Sequence, residues 1–178
     1  MMADWPTRII ELVRLKEAIS RLDVDRLFSS TLPSVAAPAS RLDAWEAGTG
    51  VTLDGGHRSF LLAADGWPAF FETQDLLSVD QLAGGRHRDV FTAWIESAPA
   101  AARAEGYSAA TLLPIAVDLE LPLYAAMPVT DGQVASRVLS LDPSGIIDDF
   151  DSFEDYVDGV IEYTRRNLAD FESGAYRL

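Results

Sequence analysis

The apolar positions divide the chain into a helical first half, a strand-rich block and a helical end. From residue 7 to 22, Ile9, Ile10, Val13, Leu15, Ile19 and Leu22 recur at helical spacing between charges, which predicts an amphipathic helix capped by Thr7. Residues 23–40 hold a Ser-Ser pair, Pro33 and Pro38 and read as a connection within the domain. Ser40 is placed to cap a short second helix with Leu42 and Trp45 inward, ended by Gly48 and Gly50. A turn at Asp54-Gly55-Gly56 precedes a third helix over 58–64, with Phe60, Leu61 and Ala64 inward and Gly66 as its stop.

After Trp67-Pro68, the pairs Phe70-Phe71 and Leu76-Leu77 mark strand segments. Ser78 and Gln81 have capping-box spacing for a helical turn before Gly84-Gly85. Residues 89–105 read as a further helix with Phe91, Trp94, Ile95 and Ala98 on one side, interrupted at Pro99. Three apolar runs follow, at 111–117, 122–128 and 134–141, with an Asp131-Gly132 hairpin signal and a turn at Pro143-Ser144-Gly145. Strands arriving consecutively predict an antiparallel sheet. The final helix opens with Ser152 and Asp155 as a capping pair. Its inward stripe is Phe153, Tyr156, Val157, Val160, Ile161, Thr164, Leu168 and Phe171.

Composition narrows what this framework can do. A chain of 178 residues can bury a core unaided, so one domain over 1–178 is expected. With no cysteine, disulfides, thiol catalysis and cysteine-held metals are excluded. The opening Met-Met-Ala-Asp-Trp-Pro lacks a basic run followed by an apolar stretch. The most apolar region, 111–129, carries Asp118 and Glu120 and three prolines. Neither a secretory signal nor a membrane span is predicted, and a cytoplasmic location is the expectation.

The net charge is −14, which argues against nucleic acid or an anionic membrane as partner and fits a cationic one. Residues 104–178 carry 14 acids and 4 bases, whereas residues 1–103 carry 14 and 10. Between Arg137 and Arg165 there is no base, while Asp142, Asp148, Asp149, Asp151, Glu154, Asp155, Asp158 and Glu162 crowd the segment. Any electrostatic docking face is expected there.

Local signatures recur in this frame. Pro38-Ala39-Ser40 precedes Leu42-Asp43-Ala44-Trp45-Glu46, and Gly50-Val51-Thr52-Leu53 follows. Next comes His57-Arg58-Ser59-Phe60-Leu61-Leu62, closed by Asp65-Gly66-Trp67. Asp151-Ser152-Phe153-Glu154-Asp155-Tyr156-Val157 opens the last helix. In order and spacing these patches resemble the SUKH superfamily of Smi/Knr-like regulators and bacterial toxin-immunity proteins. The resemblance spans 38–165, with 1–37 as an N-terminal helix and loop. Asp54 stands where that family usually has proline, 84–108 is longer than its strand-linking loop, and 118–121 lacks its glycine-rich turn.

The resemblance implies an α+β, SUKH-like single domain: a central, mostly antiparallel sheet flanked by helices, with a long amphipathic C-terminal helix. It also implies an immunity protein, without catalysis or cofactor, that neutralises a cognate bacterial toxin by direct binding, the toxin domain being cationic and nuclease-like. The alternative is a regulatory scaffold for a cellular partner. The expected partner-binding residues are Asp65, Trp67, Asp118, Glu120, Asp148, Asp149 and Asp151. Trp67, in its Gly-Trp-Pro turn, is either an exposed anchor or packed under the loop.

Three other chemistries are weaker. Asp148-Asp149-Phe150-Asp151 lacks the order and distal glutamate of a calcium loop and reads as a solvated acidic loop. His57 and His87 each follow a Gly-Gly pair and are the candidates for a general base or metal ligand. No Gly-x-Ser-x-Gly, His-Glu-x-x-His or phosphate loop accompanies them, so turn or surface positions are expected.

Overall fold

The computed structural model describes residues 4–97 and 106–175. Helix α1 (Trp5–Leu22) is capped by Asp4, whose carboxylate accepts from the Thr7 amide, and Pro6 sits in the first turn. Thr7 is therefore the amide donor to the cap, not the cap. Trp5, Leu12 and Ile19 turn inward, while Ile10 and Leu22 are exposed. Helix α2 (Ala39–Thr49) has Pro38, not Ser40, at its cap position, buries Leu42 and Trp45, and ends at Gly50 in the left-handed conformation. Helix α3 (Gly55–Leu61) starts three residues earlier than Arg58. Asp54 accepts from the Gly56 and His57 amides, so the expected turn becomes a capped first turn.

The sheet is an antiparallel meander in chain order: β1 (Trp67–Phe71), β2 (Gln74–Leu76), β3 (Leu112–Val117), β4 (Tyr124–Thr130), β6 (Val138–Asp142) and β7 (Gly145–Phe150), with β5 (Gln133–Val134) paired to β4. Between β2 and β3 lie α4 (Val79–Ala83), which carries the Ser78–Gln81 capping box, and α5 (Arg86–Ser97). The rest of the helix expected over 89–105 lies outside the described residues. Asp131 and Gly132 both take positive φ, as a two-residue hairpin turn requires.

Two strand assignments differ from expectation. The run 134–141 is split into β5 and β6: Ala135 still donates to the Pro128 carbonyl in register, but from the Val129–Val134 pair to the Ala126–Leu139 pair two extra residues interrupt the ladder against β4. Strand β7 occupies what reads as an acidic loop. Paired aspartates are poor strand formers, but at a sheet edge both point to water.

Six successive buried residues on β3 mean that both of its faces are covered. Helices α4 and α5 contact β3, while helix α6 (Phe153–Ser173) packs along α1 and against β7. Helices α1 and α6 run in the same direction, tied by Arg8 to Asp158 and by Arg165 to Glu11. The α6 stripe buries Asn167 in place of the expected Leu168 and Phe171, which are only partly covered. Phe70 of β1 and Phe150 of β7 both reach Tyr156 of α6, with ring centroids at 6.0 and 5.5 Å. In a flat sheet these edges would lie about 24 Å apart, so the sheet coils round the helix. Gly159 makes this possible, since a Cβ there would stand 2.8 Å from the Phe150 ring.

The chain enters the sheet at Gly66, with φ of +81° and a hypothetical Cβ 2.6 Å from the Ser78 nitrogen and 2.8 Å from the Leu76 carbonyl oxygen. Those neighbours are backbone and cannot yield. Gly66→Ala is expected to cost about 2–4 kcal/mol, read as a lower urea midpoint with an unchanged m-value. A loss under about 0.5 kcal/mol would show that the turn relaxes freely.

Candidate functional site

Three of the seven expected binding residues are interior. Asp65 is 7% exposed; one oxygen accepts from the Val79 amide at 2.7 Å and the other from Arg41 at 3.2 Å. Trp67 is 1% exposed, and its indole N–H donates to the Thr31 carbonyl and hydroxyl. It packs under the loop and is not an exposed anchor. Asp118 is also 1% exposed. One of its oxygens accepts from the Glu120 and Leu121 amides at 2.8 Å, and the other accepts from the Thr73 hydroxyl. These bonds build the turn that a glycine-rich loop would otherwise supply. All three residues hold the fold and are corrected out of the docking surface.

Glu120, Asp148, Asp149 and Asp151 are exposed, but they are not one cluster. Tyr124 pairs with Leu141, and Leu141 with Ile146, so the loop carrying Glu120 lies at the same end of the sheet as the 142–145 turn. Phe150 pairs with Val138 at the opposite end, which takes Asp149 and Asp151 away from Glu120. The acids that do come together are Asp148 of β7 and Glu162 of α6, which line one cavity, with Asp155 and Asp158 exposed on the same helix as Glu162.

Part of this acidic surface is neutralised. Arg137 makes two bonds of 2.6 Å to Asp149 and holds its carboxyl below the usual carboxylate range. Asp158 pairs with Arg8 and Glu162 with Arg165. Asp148, Asp151 and Asp155 have no ion-pair partner among the described residues.

Beside these acids lies a groove. In the β6–β7 ladder Ser140 faces Asp148 and Leu141 faces Ile146, so Ile147 is the extra residue of a bulge. A bulge breaks the alternation of side chains, and Ile147 and Asp148 both line a cavity of about 340 Å³ against α6. Ile147 is 53% exposed. Phe150 and Tyr163 add aromatic wall, and Glu162 and Arg166 stand on the α6 side. Tyr163 is fixed by donating to Glu72 at 2.7 Å and by edge contact with Phe71. Sequence reasoning missed this groove. The available signal was Ile146-Ile147 after the Gly145 turn, with Gly159 interrupting an apolar helix stripe.

Neither histidine has a site around it. His57 is fully buried, not at the surface, with no hydrogen bond to either ring nitrogen among the described residues and its ring 4.8 Å from Phe153. Burial pushes its pKa down to about 3, so it is neutral core. His87 is half-buried between Asp75 at 2.9 Å and Gln81 at 3.3 Å. No group of three or more potential metal-ligating acids or histidines occurs among the described residues.

No described helix is long and apolar enough to cross a membrane. No family model matches the chain, and no curated protein matches it in sequence.

Below its ordinary pKa of 6.5 the unfolded chain protonates His57, whereas the native state does so only near pH 3. The contribution of His57 to stability is therefore present above about pH 6.5 and lost, at about 1.4 kcal/mol per pH unit, as pH falls toward 3. His57→Phe should remove this slope. In urea unfolding at pH 7 and pH 4.5, the variant should lose about 2–3 kcal/mol less than the parent between the two conditions. Equal losses would place the imidazole in contact with water.

Proposed function

We propose that this protein is a non-catalytic immunity protein of the SUKH type, which neutralises a cognate bacterial toxin in the cytoplasm by binding to it directly. The observation that carries this reading is the base-free segment from 138 to 164, which lays exposed aspartates and glutamates along β7 and α6. An α+β domain with a coiled antiparallel sheet and a long C-terminal helix is compatible with the patchwork resemblance of residues 38–165. The two histidines offer no catalytic geometry, one being sealed in the core and the other tied to Asp75 and Gln81. The part of the acidic surface left without ion pairs, Asp148, Asp151 and Asp155, suits a cationic toxin domain, whose approach it would accelerate and orient.

The test is co-expression of the C-terminal domain encoded immediately upstream, with and without this protein, followed by pull-down. Rescue of growth with a stable complex is the expected result. The triple variant Asp148→Lys, Asp151→Lys, Asp155→Lys should weaken that complex about tenfold or more, mainly through a slower and less salt-sensitive association rate. Glu120→Lys, at the other end of the sheet, should leave it unchanged. Toxicity without rescue or complex would transfer the binding role to a different cellular partner.

A further inference from the structure

We propose that the groove between β7 and α6 is an anchor pocket for one aliphatic-stemmed cation, a lysine or arginine side chain presented by the protein partner. The inference rests on the binding role proposed above and names what the partner inserts.

Size comes first. A cavity of about 340 Å³ is at the small end of ligand sites, so it admits a long side chain and not a helix. Its wall is mostly apolar: Phe150 lies over Gly159, and Ile147 and Tyr163 add further apolar surface. The buried Tyr124, Leu141, Tyr156 and Val160 line it, with Gln74 as the buried polar side chain. Lysine and arginine bury their methylene stems along such a wall while the charged head stays in water. The bulge matters here because it turns Ile147 toward the groove at the position where Asp148 also faces it.

Charge decides between occupants. The groove holds two carboxylates, Asp148 and Glu162, and one guanidinium, Arg166. Glu162 already pairs with Arg165, but Asp148 has no cation partner among the described residues. Asp151 and Asp155, both exposed and without ion-pair partners among the described residues, follow Asp148 in the chain, and their field favours a cation. The faces of Phe150 and Tyr163 add favourable electrostatics for a positive head. A partner strand is a poorer occupant, since the bulge and the Asp148-Asp149 pair guard the β7 edge against pairing.

The experiment titrates the ¹⁵N-labelled full chain with n-hexylammonium, hexanoate and hexanol, reading amide shifts. Hexylammonium should bind saturably, with shifts centred on Ile147, Asp148, Phe150 and Tyr163, and more tightly than hexanol. Asp148→Asn and Glu162→Gln should each weaken it by roughly threefold, while Arg166→Gln should tighten it. All three positions are exposed, so the fold survives the changes. Hexanoate binding as tightly as hexylammonium, an absence of shifts at these residues, or indifference to Asp148→Asn and Glu162→Gln would each overturn the proposal. A failed titration beside intact toxin rescue overturns the anchor alone. A positive titration beside failed rescue supports the anchor and overturns the immunity reading.

Discussion

Tyr156 is the point on which both edges of the sheet close. Phe70 arrives from the first strand and Phe150 from the last, and the tyrosine lies between them on the inward stripe of α6. Its hydroxyl is buried without a partner among the described residues, and burial raises its pKa. An unsatisfied hydroxyl costs about 1–3 kcal/mol, which the aromatic contacts on either side must offset. Because α6 also carries the acids Asp155, Asp158 and Glu162, the same helix that closes the core sets the distance between those acids and the ones on β7. The groove is the space left where the coiled sheet meets the helix.

The two sheet edges are treated differently. The β1 edge is closed from within. Pro68 offers no donor, Thr31 donates to its carbonyl, and Lys16 donates to Ala69 at 2.6 Å. That lysine is largely desolvated, and burial pushes its pKa down to about 8. Ala69 sits at positive φ inside a register irregularity and is pinned further by its own amide bond to Asp75. Among the described residues the β7 edge has no such cover and relies on a bulge and charge. Its exposure is therefore compatible with a binding role, whereas the β1 edge is spent on the fold.

Much of this architecture is legible in the sequence because its signals are local. Gly50, Asp131-Gly132, the Ser78–Gln81 box and Ser152 act within three or four residues and stand where expected. The α6 stripe from Phe153 to Thr164 is equally legible, since helical periodicity needs no partner to be recognised. What fails is what depends on distant neighbours. Asp65 and Asp118 look like surface acids until Val79, Arg41, Thr73 and the 120–121 amides are brought to them. Trp67 looks like an anchor until Thr31 covers it. The chain-local preference of Asp148-Asp149 for a loop is overridden by pairing with Ser140 and Leu139 on β6, and the groove follows from that pairing.

The acidic face and the groove expose two unfavourable features in one place. Asp148, Asp151 and Asp155 are exposed without an ion pair of the kind Arg137 makes with Asp149, and Arg166 is the cation that lines the groove beside Asp148. Ile147 exposes apolar surface beside them. Within the chain the two demands conflict, since a hydrophobic cover would desolvate the carboxylates and a solvated cover would leave the isoleucine wet. A side chain that is apolar along its stem and positive at its tip meets both demands at once. The cationic character proposed for the partner and the anchor proposed for the groove therefore express one physical requirement, set by the bulge that puts Ile147 and Asp148 on the same face.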